Sequence, residues 1–177
     1  TCATIAQSYL LLITSPMIGI SGGTQAILSY NYGARRADRV KDAERNILGV
    51  MLIFTTIMFL LSRLVPRYFV LLFTSDPQYI SFSVWAIHTY TLMIIPLSFQ
   101  YVFVDGLTAL DRPKTGLALS VTRKSLFVLS AAILPVFFGA KAAFFAEPVA
   151  DGVCSVLSTV VFLLLINRHL QKRCQTV

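Results

Sequence analysis

Two acidic residues, Glu147 and Asp151, are the first candidates for chemistry, because they stand four residues apart within a long apolar stretch. At that spacing two side chains share one face of a helix, and Ser155 and Ser158 extend the same face. Two neighbouring carboxylates repel each other when both are ionised, so the pair is able to hold a proton. The alternative is that Glu147 lies near the outer interface beside Pro148 and is simply hydrated.

Arg123 is a basic residue inside another apolar stretch, where an ionisable group costs about 3 kcal/mol or more to insert. At about 1.5 Å per residue, Arg123 and Asp151 differ in depth by roughly 5 Å within a bilayer core about 30 Å thick. The spacing therefore predicts an ion pair that ties these two stretches together. The alternative is that Arg123 and Lys124 extend their long side chains to the interface.

Asp105 is the third acidic candidate, on a polar helix face that ends one to two turns later at Arg112. It is interpreted either as an interfacial carboxylate paired with Arg112, or as a contact for cationic substrates or an inner gate.

Gln25 carries a buried-type amide, and Ser21 and Ser29 lie on the same face of its helix. In lipid such groups lock helices together more often than they bind ligands, so packing is the favoured role and cavity lining the alternative.

The composition indicates a membrane protein. Hydrophobic residues make up 56% of the 177 residues and charged residues 13%, against roughly 25% charged in an ordinary soluble domain. The net charge is +7, but Lys and Arg are concentrated in short breaks between apolar runs, which argues against nucleic-acid binding. Three cysteines stand at no metal-ligand spacing, and no catalytic motif is present, so we expect neither an enzyme nor a metal or cofactor site.

Five stretches are long and apolar enough to span a membrane as helices, at about residues 5–33, 46–65, 80–110, 116–138 and 142–166. The chain is therefore expected to be an all-α polytopic helical bundle. The breaks after the first and third spans and the tail after the fifth hold ten Lys and Arg, against three in the breaks on the other side, so the ten-residue side is expected to be cytoplasmic. This orientation places residue 1 outside and the carboxy-terminus in the cytoplasm.

Glycine and proline residues within the spans are expected to act in helix packing or as hinges, and they are Pro16, Gly19, Gly22, Gly23, Pro96 and Pro135. We expect Pro16 and the glycine cluster to interrupt the first span. Gly19 and Gly23 are four residues apart, which would let a neighbouring helix approach closely. Pro96 frees one backbone carbonyl and is expected to kink the third span.

Residues 16–34 read Pro-x-x-Gly-Ile-x-x-Gly-x-Gln-Ala-Ile-x-Ser-Tyr-Asn-Tyr-Gly-Ala, and this resembles the eighth-helix signature of the multidrug and toxic compound extrusion (MATE) family. Residues 72–77 resemble the outer turn before that family's tenth helix. Residues 109–114, Ala-Leu-Asp-Arg-Pro-Lys, resemble the turn after it, with Asp111 in place of the usual glycine. The resemblance covers essentially the whole chain.

The resemblance implies helices eight to twelve of a twelve-helix antiporter, with the preceding helix and the amino-terminal lobe of the same polypeptide absent. Such transporters export amphipathic, often cationic compounds in exchange for H⁺ or Na⁺, across the plasma or inner membrane. Some members carry an acidic cation ligand in the first half of the tenth helix, but Phe99 and Gln100 stand in the matching region. The alternatives are a related flippase for lipid-linked precursors and a non-transporting membrane assembly subunit.

Overall fold

The computed structural model describes the backbone of residues 1–175 and the side chains of residues 1–166. Within that part the chain is helical, without strands. Its α-helices, in chain order, are α1 (Cys2–Gly33), α2 (Ala37–Leu64), α3 (Pro66–Leu71), α4 (Pro77–Tyr90), α5 (Ile94–Ala109), α6 (Pro113–Phe138) and α7 (Ala146–Gln175). A 3₁₀ helix at Ala140–Phe145 joins α6 to α7. The polar, basic tail expected after residue 166 lies outside the described side chains.

Four of these segments are long and apolar enough to cross a membrane, namely α1, α2, α6 and the stretch from the 3₁₀ helix into α7. A fifth span results if α4 and α5 are taken together, since they pass the same test as a pair bent by 46°. The all-α polytopic architecture expected from the sequence is therefore confirmed.

The first helix is continuous, so the expected interruption by Pro16 and the glycines is wrong. Pro16 lies inside α1, which runs unbroken from Cys2 to Gly33. The predicted close approach at Gly19 and Gly23 is also not made by described residues. A Cβ atom added at either glycine, or at Gly22, would meet no atom within 4 Å. The reason is that these glycines lie away from the helix face, marked by buried Ser21, that packs inside this chain.

The second helix begins at Ala37, nine residues before the predicted span, so most of the charged residues in the break between the first two predicted spans are helical. Asp38 lies in its first turn, where a carboxylate is favoured by the helix dipole. The exposed charges of this segment share its turns with buried Val40 and Glu44. The amphipathic start of α2 therefore already packs against the bundle.

The third span is broken between Tyr90 and Ile94. The expected distortion of this span is therefore confirmed, but it lies a few residues before Pro96. Pro96 is the third residue of α5. Proline has no N–H and its ring clashes with the carbonyl four residues earlier, which here belongs to Leu92 in the middle of the break. Pro135 lies inside α6, which continues to Phe138, so it causes no comparable break.

The turn between α5 and α6 explains why glycine is usual at position 111 in the motif that residues 109–114 resemble. Asp111 has φ +63°, in the left-handed region where glycine has no steric penalty. Aspartate is one of the few other residues that visit this region. The substitution is thus compatible with the turn.

The fifth helix is the centre of the bundle, with α1, α2, α6 and α7 packed around it. Hydroxyl groups hold α1, α2 and the broken span together. Ser21 donates a hydrogen bond to the carbonyl of Tyr101 at 3.0 Å. The hydroxyls of Thr55 and Ser98 lie 3.2 Å apart, and a similar pair joins α2 to the break before α5. These contacts fix α5 as the platform against which the polar side chains of α6 and α7 are placed.

Candidate functional site

A buried cluster of three charged side chains lies between α6 and α7. The Nε and Nη2 atoms of Arg123 both lie 2.7 Å from Oδ1 of Asp151. Nη2 also lies 3.5 Å from Oε1 of Glu147. The ion pair predicted between Arg123 and Asp151 is therefore present, and Glu147 belongs to the same cluster, which we call the Arg123 cluster.

Burial makes this cluster electrostatically unusual. Arg123 is 8% exposed, Glu147 5% and Asp151 1%. The alternatives in which Arg123 extends to the interface and Glu147 is hydrated are thus wrong for this conformation. Two carboxylates face one guanidinium, and Oδ2 of Asp151 is buried without a hydrogen-bond partner. With both acids ionised, the cluster holds one negative charge that no described basic residue offsets by an ion pair.

The neighbours of the Arg123 cluster position it, and the charge of exposed Lys124 acts on Asp151 without forming an ion pair. The guanidinium carbon of Arg123 lies 5.7 Å from the ring centroid of Tyr101, a cation–π distance. Ser155 and Ser158, predicted to extend the polar face, donate their hydroxyl protons to backbone carbonyls of their own helix. Because both hydroxyl protons are used within α7, neither serine donates them to the carboxylates of the cluster, and the excess negative charge remains available to a cation.

A cavity of about 260 Å³ adjoins the cluster between α1, α5 and α6. Its lining residues are Ile18, Gln100, Tyr101, Val104, Asp105, Ser120, Arg123 and Lys124. Asp105 and Arg123, which are distant in sequence, thus face one space. Gln100 is 4% exposed, and its Oε1 has no hydrogen-bond partner. The cavity offers an acid, two basic groups, an amide and an aromatic ring to a small ligand.

Gln25 stands apart from this cavity, although its helix neighbour Ser21 is bonded to α5. Its side chain is half-buried, and its backbone carbonyl accepts a hydrogen bond from Ser29. The packing role predicted for the polar face is therefore carried by Ser21, and the role of Gln25 itself stays a prediction.

One buried acid was missed by the sequence reasoning, which left Glu44 in the break between the first two predicted spans. Glu44 is 5% exposed and packs against α5. Helical periodicity contained the signal, because Val40, Glu44, Ile47 and Met51 recur at spacings of four, three and four, and all are buried.

Within the part of the chain that the structure describes, no group of three His, Cys, Asp or Glu residues is arranged to hold a metal ion.

The family model MatE matches residues 1–138 of the chain. A curated relative, the FAD transporter of Shewanella oneidensis (strain ATCC 700550 / JCM 31522 / CIP 106686 / LMG 19005 / NCIMB 14063 / MR-1), is 26% identical over 146 residues. That alignment covers 82% of this chain and 32% of the relative. The chain thus spans about a third of the length of this curated relative.

Two solved structures are similar in fold. One is the inward-facing conformation of a multidrug resistance MATE family transporter of the MOP superfamily, with TM-score 0.87 and 16% identity over 97% of this chain and 40% of that one. The other is the MATE multidrug transporter DinF-BH in complex with a ligand, with TM-score 0.82 and 30% identity over 93% of this chain and 36% of that one. Since the family model matches well over half of the chain, this multi-pass membrane protein belongs to the MATE family of transporters.

Proposed function

We propose that this chain forms the carboxy-terminal part of a secondary active antiporter that exports amphipathic, often cationic compounds in exchange for H⁺ or Na⁺. The rest of the transporter would be a further helix and an amino-terminal lobe in the same polypeptide. The proposed location is the plasma or inner membrane, with residue 1 outside and the carboxy-terminus in the cytoplasm. The distribution of Lys and Arg between the breaks supports this orientation.

The observation that carries the proposal is the unbalanced Arg123 cluster. A buried charge without a partner is expensive in a low-dielectric interior, so two carboxylates beside one guanidinium favour uptake of a cation. A proton taken up by Glu147 or Asp151, or a Na⁺ ion beside them, would balance the cluster. Release of that cation would restore the excess charge and favour a conformation in which water reaches the site. This difference is what couples a cation gradient to a change of conformation.

The adjoining cavity is the proposed site of substrate contact. Asp105 offers a negative charge to a cationic group, and Tyr101 offers a ring face on which a cation or a flat ring system is stabilised. Because Arg123 lines the cavity and also binds Asp151, a cationic ligand there would be repelled by Arg123 unless the cluster held fewer protons. Substrate and coupling cation would thus compete electrostatically, as antiport requires.

The direct test is efflux by the full-length transporter, with the cationic dye rhodamine 6G as the substrate and imposed H⁺ or Na⁺ gradients in vesicles. Glu147→Gln and Asp151→Asn are expected to lower gradient-driven efflux at least tenfold. Asp42→Asn, which neutralises an exposed acid on α2, is the matched control and should leave efflux unchanged. The proposal is wrong if both cluster variants keep normal coupling to either gradient.

A second candidate substrate class is an anionic flavin nucleotide, since one relative is named an FAD transporter. The observation that favours it is the pair of basic residues, Arg123 and Lys124, on the cavity wall. Lys124→Gln would then weaken transport of FAD and leave efflux of rhodamine 6G intact. If the substrate is cationic, Lys124→Gln should instead leave efflux of rhodamine 6G intact or raise it, because removing a positive charge from the cavity wall reduces repulsion. A flippase for lipid-linked precursors is tested by the same variant with a lipid-linked diphosphate.

A further inference from the structure

Glu44 is buried where α2 crosses α5, far along the chain from the Arg123 cluster. Its carboxyl group lies directly against Gly106: a Cβ atom at position 106 would be 2.5 Å from Oε1 and 3.1 Å from Oε2. Gly106 is itself buried, so the carboxyl fills the space that a side chain on α5 would otherwise occupy. Only 5% of Glu44 is exposed, and Oε1 has no hydrogen-bond partner.

An ionised carboxylate in this position would be strongly unfavourable. Moving an unpaired carboxylate from water to an apolar interior costs on the order of tens of kcal/mol in the idealised limit, and such groups neutralise instead. The basic residues nearest in sequence, Lys41 and Arg45, are exposed on the outer side of α2. Burial and the unpartnered Oε1 atom therefore favour a neutral side chain.

The surrounding helices reinforce this conclusion. Asp105 on α5 is the described charged group whose field acts on Glu44, and it has the same sign as a glutamate carboxylate. On α1 Tyr32 is buried, and the described charges of α7 belong to the Arg123 cluster. No cluster of metal-ligating side chains occurs among residues with described side chains, whereas metal cations need several oxygen ligands. A proton is the cation that one carboxyl group can bind alone.

We propose that Glu44 is a proton-binding site, separate from the Arg123 cluster, whose protonated form packs on Gly106 and holds α2 against α5. Separation of the two helices would hydrate the carboxyl group and release the proton. The proton would leave beside the part of α5 where half-buried Asp105 lines the cavity described above. Glu44 thereby links the contact between α2 and α5 to proton release next to that cavity.

The experiment uses the full-length transporter in lipid nanodiscs and infrared difference spectroscopy. At neutral pH the wild type is expected to show the carbonyl stretch of a protonated carboxyl group that Glu44→Gln lacks. Asp42→Asn, on the same helix and exposed, is the matched control and should retain the band. If Glu44→Gln leaves the protonated-carboxyl signal unchanged, the proposal is overturned.

A second readout is the pH dependence of stability. The folded state would hold a proton that the unfolded chain has lost. Wild-type stability should therefore fall as pH rises between the pH at which the unfolded carboxyl group ionises and the higher pH at which the folded one does. In that range the folding equilibrium constant should fall roughly tenfold per pH unit. Glu44→Gln keeps the shape of the neutral side chain and should lack this component, whereas equal pH profiles of variant and wild type would contradict the proposal. Neither readout involves substrate, so failure here is distinguishable from failure of the proposed antiport.

Discussion

Replacing Arg123 with methionine tests the energetic account of the buried cluster most directly. The substitution retains a long side chain, which limits the loss of packing, and leaves Glu147 and Asp151 facing each other without a cation. Removing one partner of a buried ion pair costs about 3–5 kcal/mol, because the remaining charge is uncompensated. We expect Arg123→Met to destabilise the full-length transporter by about that amount.

The distances predict unequal roles for the two acids. Coulomb attraction falls as the inverse of distance, so at 3.5 Å Glu147 attracts Arg123 about three-quarters as strongly as Asp151 does at 2.7 Å. Asp151 also accepts a hydrogen bond from Nε of Arg123 at 2.7 Å, in addition to its ion pair with Nη2. Glu147→Gln leaves a balanced pair and should change stability by less than about 1 kcal/mol, whereas Asp151→Asn should cost more.

The assay is reversible unfolding of the purified transporter in detergent, followed by tryptophan fluorescence, with a charge-free rescue variant. Adding Glu147→Gln and Asp151→Asn to Arg123→Met removes the uncompensated charge, so the triple variant should regain more than half of the lost stability. The reasoning is refuted if the triple variant is no more stable than Arg123→Met. It is also refuted if Arg123→Met and Glu147→Gln are equally destabilising.

Three further substitutions test the packing, each by the unfolding free energy of the full-length protein. Thr55→Val removes the hydrogen bond to Ser98 and should cost about 0.6 kcal/mol. A double-mutant cycle with Ser98→Ala measures the coupling energy of the two side chains, and a coupling energy of zero would contradict the contact. Gly116→Ala places a Cβ atom 2.7 Å from a threonine hydroxyl of α5 and should cost about 1–3 kcal/mol, whereas Gly49→Ala, with open space around it, should not destabilise. Asp111→Gly should stabilise by about 1 kcal/mol by relieving a positive φ, and a loss of stability would argue against that conformation.

Several features of the fold follow from the sequence because they depend on local composition. Apolar runs of sufficient length predict spans, since backbone groups must bond internally wherever water is absent. The positions of Pro66, Pro77 and Pro113 at helix starts agree with the preference of proline for the first turn. Pro96 predicted a distortion in the third span, because a missing N–H has a local consequence.

The ion pair between Arg123 and Asp151 could be predicted from the sequence for a related reason. A membrane restricts depth, so two charges on different spans can be compared by counting residues from the ends of their helices. Depth alone left open whether Arg123 turns inward or toward the interface. The packing of α6 against α7 decided this, and it also brought Glu147 into the same cluster.

A helical membrane protein and its family resemblance can be predicted from the chain read in one dimension, because length, hydropathy and motif order are properties of the sequence. Which polar residues are buried together depends on how the helices pack. Glu44 stands among charged neighbours in the sequence, and only the crossing of α2 over Gly106 shows it enclosed. Periodicity within one helix can mark a buried face, but the partner of each side chain depends on what a second helix places opposite it, and the first helix alone does not record that.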